Sequence, residues 1–195
     1  PDYLGSTLKY DEVGLVAKSV ADGLQIRLDV KTPDIGTGYA NVIIDPYRDS
    51  KPMRGEIAFN QVRLKVFKPF IQDIRNLDGI LSYAGKISGT LTDPLLEGEV
   101  RVKDASISMI SLPVNLTNVQ LYSSIRQISG SINGAFNSGR GVGKLTGSVE
   151  WKGDPRVQLK LQGDNLLIRQ APLITAVVTP DLTLDMYPFN KKLSL

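Results

Sequence analysis

The sequence predicts an all-β chain with a curved, repetitive sheet, and three observations lead there. Apolar and polar residues alternate along most of the 195 positions, the mark of strands with one apolar face. Glycine recurs two residues ahead of an apolar strand position, at Gly55/Ile57, Gly89/Leu91, Gly98/Val100, Gly130/Ile132 and Gly147/Val149. Glycine normally weakens a strand, so its repetition points to bends, bulges or close backbone approach. A strand, an Asp-Pro turn and a returning strand also recur: Gly89 to Val102 through Asp93-Pro94, and Gly147 to Leu161 through Asp154-Pro155. Such internal copies indicate a repetitive β architecture.

The elements follow in order. Leu24, Ile26, Leu28 and Val30 alternate with Gln25, Arg27 and Asp29, and Val62, Leu64 and Val66 with Arg63 and Lys65. Leu81, Tyr83, Ile87 and Leu91 fall on one face of a long strand. The pattern returns at Val100/Val102, Val119/Leu121/Ile125, Ile128/Ile132/Phe136, Leu145/Val149/Trp151, Val157/Leu159/Leu161 and Leu182/Leu184/Met186. Asp45-Pro46, Asp93-Pro94, Asp154-Pro155 and the stretch 137–141 separate these runs. One stretch differs: Phe70, Ile71, Ile74 and Leu77, with Pro69 before them and Gly79 after, predict a short amphipathic helix near 70–77 that plugs or caps the sheet. A turn of helix opening at Pro172 is a further candidate within 171–178.

Composition excludes several function classes. With 42% hydrophobic and 22% charged residues the chain is not of the disordered type. Its 23 basic and 20 acidic residues, net +3, form no clustered basic face of the kind nucleic acid needs. A sequence pI near 9.1 is mildly favourable for an anionic membrane surface. There is no Cys and no His, which removes disulfides, thiolate metal sites and the usual general base. The longest apolar run, 171–178, is broken by Thr175 and falls short of the about 20 residues that span a bilayer. Gly139, Gly141, Gly143 and Lys144 imitate a phosphate loop, but Ser138 and Leu145 stand where its first Gly and its Ser or Thr belong. A hairpin turn is the better reading. No Gly-x-Ser-x-Gly elbow or EF-hand spacing occurs, and Asp11-Glu12 is the only adjacent acidic pair. The expectation is no enzyme, no cofactor and no metal. Pro1 at the start, and Leu193 and Leu195 alternating to the end, make residues 1–195 read as one fragment of a longer protein, with 187–195 stopping in mid-strand.

An apolar strand face has two possible fates. It packs on another face of the same chain, as in a closed sandwich, or it lines a groove that something else fills. Pattern alone favours closure. Each Leu or Val left in water forgoes roughly 1.5–3 kcal/mol, against a net domain stability of about 5–15 kcal/mol. An open groove must therefore be narrow or usually occupied.

Several segments carry a family resemblance: GTLTDP at 89–94, GEVRVKDASI at 98–107, Leu112-Pro113, LTNVQL at 116–121, GVGKLTG at 141–147, and Ala171-Pro172 leading to PDLTL at 180–184. Their order and spacing resemble the C-terminal conserved domain of the TamB/AsmA-like family over about residues 24–186, with 1–20 poorly matched. The resemblance implies an elongated trough, the β-taco, with an apolar interior. It implies periplasmic work in a protein anchored in the inner membrane, a TamA-type outer-membrane barrel as partner, and roles in outer-membrane protein (autotransporter) assembly or phospholipid transport. It carries no catalytic residues. Acyl chains, or the apolar face of an unassembled outer-membrane β-strand, would then lie along Leu91, Val100, Val102, Ile132, Phe136, Leu145, Val149, Leu159 and Leu161. The alternative is a closed β-sandwich scaffold that binds a protein through outward residues such as Arg101, Lys103, Lys160 and Arg169.

Overall fold

The computed structural model describes residues 12–33, 36–110, 115–152, 155–170 and 174–187. The alternating runs become strands β1 (Glu12–Val20), β2 (Gly23–Thr32), β3 (Gly36–Ile44), β4 (Met53–Arg63), β5 (Ile74–Gly89), β6 (Pro94–Met109), β7 (Asn115–Gln127), β8 (Ser129–Ser138), β9 (Gly141–Glu150) and β10 (Arg156–Asp164). They are followed by β11 (Leu166–Gln170), β12 (Ile174–Val178) and β13 (Asp181–Met186). Strands β1 to β10 pair in sequence order and β13 closes onto β10, giving an open 11-stranded antiparallel sheet. β11 and β12 form a separate two-stranded hairpin. The closed-sandwich alternative fails here, because one curved open sheet holds most of the chain and the second sheet has only two strands.

Bulges provide the curvature. The registers of β1–β2, β2–β3, β3–β4, β8–β9 and β9–β10 run without a break. Those of β4–β5, β5–β6, β6–β7 and β7–β8 shift. Gln61, Gly79, Asp104 and Asn118 have positive φ at these shifts, the region that Gly visits freely and Asp or Asn tolerates through local hydrogen bonds. Each extra residue kinks its strand and increases the local twist. Polar side chains line the seam: Gln120 Nε2 donates to Asp104 Oδ1 at 3.0 Å and to Asn118 Oδ1 at 3.2 Å, and Asn118 Nδ2 to Asn137 Oδ1 at 3.3 Å. Of the five buried apolar side chains among the described residues, Val62, Leu77 and Ala105 sit on β4, β5 and β6 at or just past a shift. The other two, Phe136 and Leu166, lie where the β11–β12 hairpin meets β8 and β9, with Ser138 Oγ donating to Leu167 O at 2.7 Å.

The helix expected near 70–77 is displaced. A 3-10 segment spans Leu64–Phe70 with Pro69 inside it, and Ile74 and Leu77 belong to β5. The cause is a bulge: Ile74 faces Met109, Asn76 faces Ser108 and Leu77 faces Ile107. The extra residue puts apolar side chains three apart on one strand face, which imitates helical spacing. Leu64 and Val66, predicted to continue a strand, belong to the 3-10 segment instead. The opening of the helical turn expected at Pro172 lies outside the described residues, which resume at 174, and 174–178 is strand β12 and not helix. The hairpin reading of 137–141 holds, with Gly139 and Arg140 turning β8 into β9. Among the described residues no helix is long and apolar enough to cross a membrane.

Candidate functional site

Antiparallel register decides which side chains share a face, because successive residues point to opposite sides. Following the pairs across the sheet, Val102 meets Leu121, which meets Gly134, then Leu145, Leu161 and Leu182. Ile132 meets Gly147, then Leu159 and Leu184. Gly98 meets Ile125, then Gly130, Val149, Val157 and Met186. Val100 and Phe136 lie two residues along from these rows and share the face. Eight of the nine predicted groove residues therefore project to one side. Leu91 does not: β5 ends at Gly89, and Leu91 sits half-exposed in the β5–β6 turn, its N–H donating to Lys51 O at 3.3 Å. Alternation runs through residue 91, but the Asp93-Pro94 turn closes two residues earlier, where Thr90 and Asp93 exchange backbone hydrogen bonds.

The strand glycines are seats on this same face. Phe136 lies across Gly143 of β9 and Phe59 across Gly38 of β3, so a Cβ at either glycine would strike the ring. Gly134, Gly147 and Gly130 each leave a notch between bulkier neighbours in their rows. Tyr83 is the polar exception: its hydroxyl is buried against Gly85, has no hydrogen-bond partner among the described residues, and burial pushes its pKa up.

Electrostatics separate the two faces. Among the described residues, no charged side chain in the paired registers points to the apolar side from β1 through β10 to β13. The charges stand opposite. There a hollow of about 930 Å³ spans β1 to β6, with Glu12, Arg27, Asp29, Lys31, Glu99 and Arg101 around it. Arg27 pairs with Asp29 and Arg101 with Glu99, each at 2.7 Å. Hydrogen bonds from Arg101 and then Tyr122 hold the Glu99 carboxyl below the usual carboxylate range. Sequence reasoning missed this charge-rimmed hollow, since a strand face with alternating charge reads as solvated surface. Of the outward residues it named, Arg101 is in the Glu99 pair and Lys160 stands 3.6 Å from Asp181, while the Arg169 side chain lies outside the described ones.

Comparison with known proteins adds identity to this geometry. The family model described as "TamB, N-terminal domain" matches residues 3–102, just over half of the chain. The translocation and assembly module subunit TamB of Haemophilus influenzae is 18% identical over 195 residues, covering 99% of this chain and 15% of that protein. The chain thus spans about 15% of the length of the relative it matches. No solved structure matches. The family match carries the N-terminal label and includes residues 3–20, the stretch that the C-terminal resemblance covered least. It supports the family and not the C-terminal placement.

Proposed function

Because the chain belongs to the TamB family, we propose that it is a non-enzymatic trough segment of a translocation and assembly module, working in the periplasm as part of a longer protein anchored in the inner membrane. Its partner at the far membrane is a TamA-type outer-membrane barrel. One observation carries the reading: an apolar face free of charge continues across the main sheet, and no second sheet of comparable size faces it among the described residues. Apolar cargo moves along such a face without meeting a charged barrier. Phospholipid acyl chains suit it, because affinity there needs apolar area alone and tolerates sliding. Val100, Val102, Ile132, Leu145, Val149, Leu159 and Leu161 supply the rail, and Phe136 stands where the β11–β12 hairpin closes one end.

A second cargo is favoured by the β1 edge. β1 is a nine-residue strand that pairs, among the described residues, with β2 alone, and its Val13, Leu15 and Val16 are exposed. An unassembled outer-membrane strand adds there by backbone pairing, which is what a role in autotransporter assembly requires.

The test is native mass spectrometry and lipid extraction of protein purified without detergent. Wild type should carry phospholipid, and Val149→Asp and Ile132→Arg should lose most of it while keeping the β signature in circular dichroism. A wild type that stays lipid-free after lipid is added, and that crosslinks to no unfolded outer-membrane strand, would remove the trough reading.

A further inference from the structure

At the end of the sheet away from the Asp-Pro turns, the 3-10 segment Leu64–Phe70 joins β4 to β5. Leu64 and Val66 are half-buried, whereas Phe67 is 40% exposed, Phe70 82% and Ile71 43%. Ile110 joins them, 61% exposed, its N–H bonded to Asp73 O at 2.9 Å. Between positions 63 and 75 the chain carries Arg63, Lys65, Lys68 and Arg75 against the single acid Asp73. Clustered apolar tips on a surface mark an interaction site, and basic residues beside aromatic ones are the pattern of an interfacial membrane contact.

We propose that this knuckle docks on an anionic bilayer surface, with Phe67, Phe70 and Ile71 entering the headgroup boundary and Arg63, Lys68 and Arg75 meeting lipid phosphates. Charge selects this occupant. A second copy of the chain would bring Arg63, Lys68 and Arg75 face to face, and a neutral partner would offer them no counter-charge. The contact is independent of the trough: it concerns the outside of a membrane and not a lipid taken into the sheet.

Vesicle flotation tests it, with vesicles of phosphatidylglycerol mixed into phosphatidylcholine and of phosphatidylcholine alone. Wild type should float with the anionic vesicles, weakly with the neutral ones, and less at high salt, where charges are screened. Lys68→Gln should lower partitioning roughly fivefold, the effect of one basic charge near an anionic surface. Phe70→Ser should lower it roughly tenfold. Both positions are exposed, so folding survives, and lipid co-purifying in the trough should be unchanged in Phe70→Ser. Lys144→Gln, the same charge change on exposed β9, serves as control and should float as wild type does. Equal binding to neutral vesicles overturns the proposal. So do unchanged flotation in Lys68→Gln and Phe70→Ser, and a dimer that Phe70→Ser dissociates without any vesicle binding by wild type.

Discussion

Strands β1 to β3 and strands β4 to β7 have the same alternating sequence and different packing. In the first group every register runs unbroken, and Leu15 on the apolar face is 69% exposed. In the second the registers shift, and Val62 at 4%, Leu77 at 6% and Ala105 at 0% are shut away from water. Hydrophobicity is similar in both. What differs is a one-residue insertion per strand, which bends the sheet over its own apolar side. An unbroken sheet edge leaves its apolar face open, and a bulged one makes a core from it.

Removing the bend should have the largest effect. Gly79 has φ +123° and faces the β6 bulge, where a Cβ would lie 2.6 Å from the Ala105 Cβ. Gly79→Val adds a forbidden backbone conformation to a collision with a fully buried neighbour. A loss of about 3–5 kcal/mol in urea unfolding is expected. A loss under about 1 kcal/mol would mean that the seam is not what holds the bend.

Next is the contrast between cores. Leu77→Ala should cost about 2–4 kcal/mol, because the buried site cannot collapse around the missing atoms. Leu15→Ala, the same chemistry on the flat edge, should stay within about 0.5 kcal/mol. Equal losses at both positions would show that something covers β1 in solution.

The same insertions explain what could be read from the sequence. Alternation located most strands, and joined to the family resemblance it grouped nine residues on one face. Eight of them, Val100, Val102, Ile132, Phe136, Leu145, Val149, Leu159 and Leu161, share it, because period two survives wherever the register is unbroken, while Leu91 falls in a turn. Reading failed where the phase slips. Phe59/Val62, Ile74/Leu77, Val102/Ala105 and Leu116/Val119 are apolar pairs three apart on a single strand face. At Ile74/Leu77 that spacing imitates a helix. Four such slips on consecutive strands are the signature that would have located the seam. The charge-rimmed hollow left no comparable signal, since its walls are assembled from six strands far apart in sequence.

The smallest effect is expected at the other edge, and it asks how a regular strand without a deep core stays paired. β13 is held to β10 partly on the polar side, where Arg156 Nε donates to Asp185 Oδ1 at 2.9 Å and the guanidinium lies 5.5 Å from the Tyr187 ring centre. The Arg156 hydrogen bonds hold the Asp185 carboxyl below its ordinary range, against an opposing effect of desolvation. A carboxyl lowered on folding contributes stability that is fully present above its unfolded pKa, about 3.9. That contribution is lost as pH falls through the lower folded value. Acid should therefore loosen β13 before it touches the seam: amide protection at Leu184 should drop below pH about 4, while protection at Leu77 persists. Arg156→Gln should return the Asp185 midpoint to the ordinary carboxylate range and remove the difference between the pH profiles. If Leu184 and Leu77 lose protection together in the wild type, the edge and the bend unfold as one unit, and the contrast between flat and bulged strands is one of packing and not of local stability.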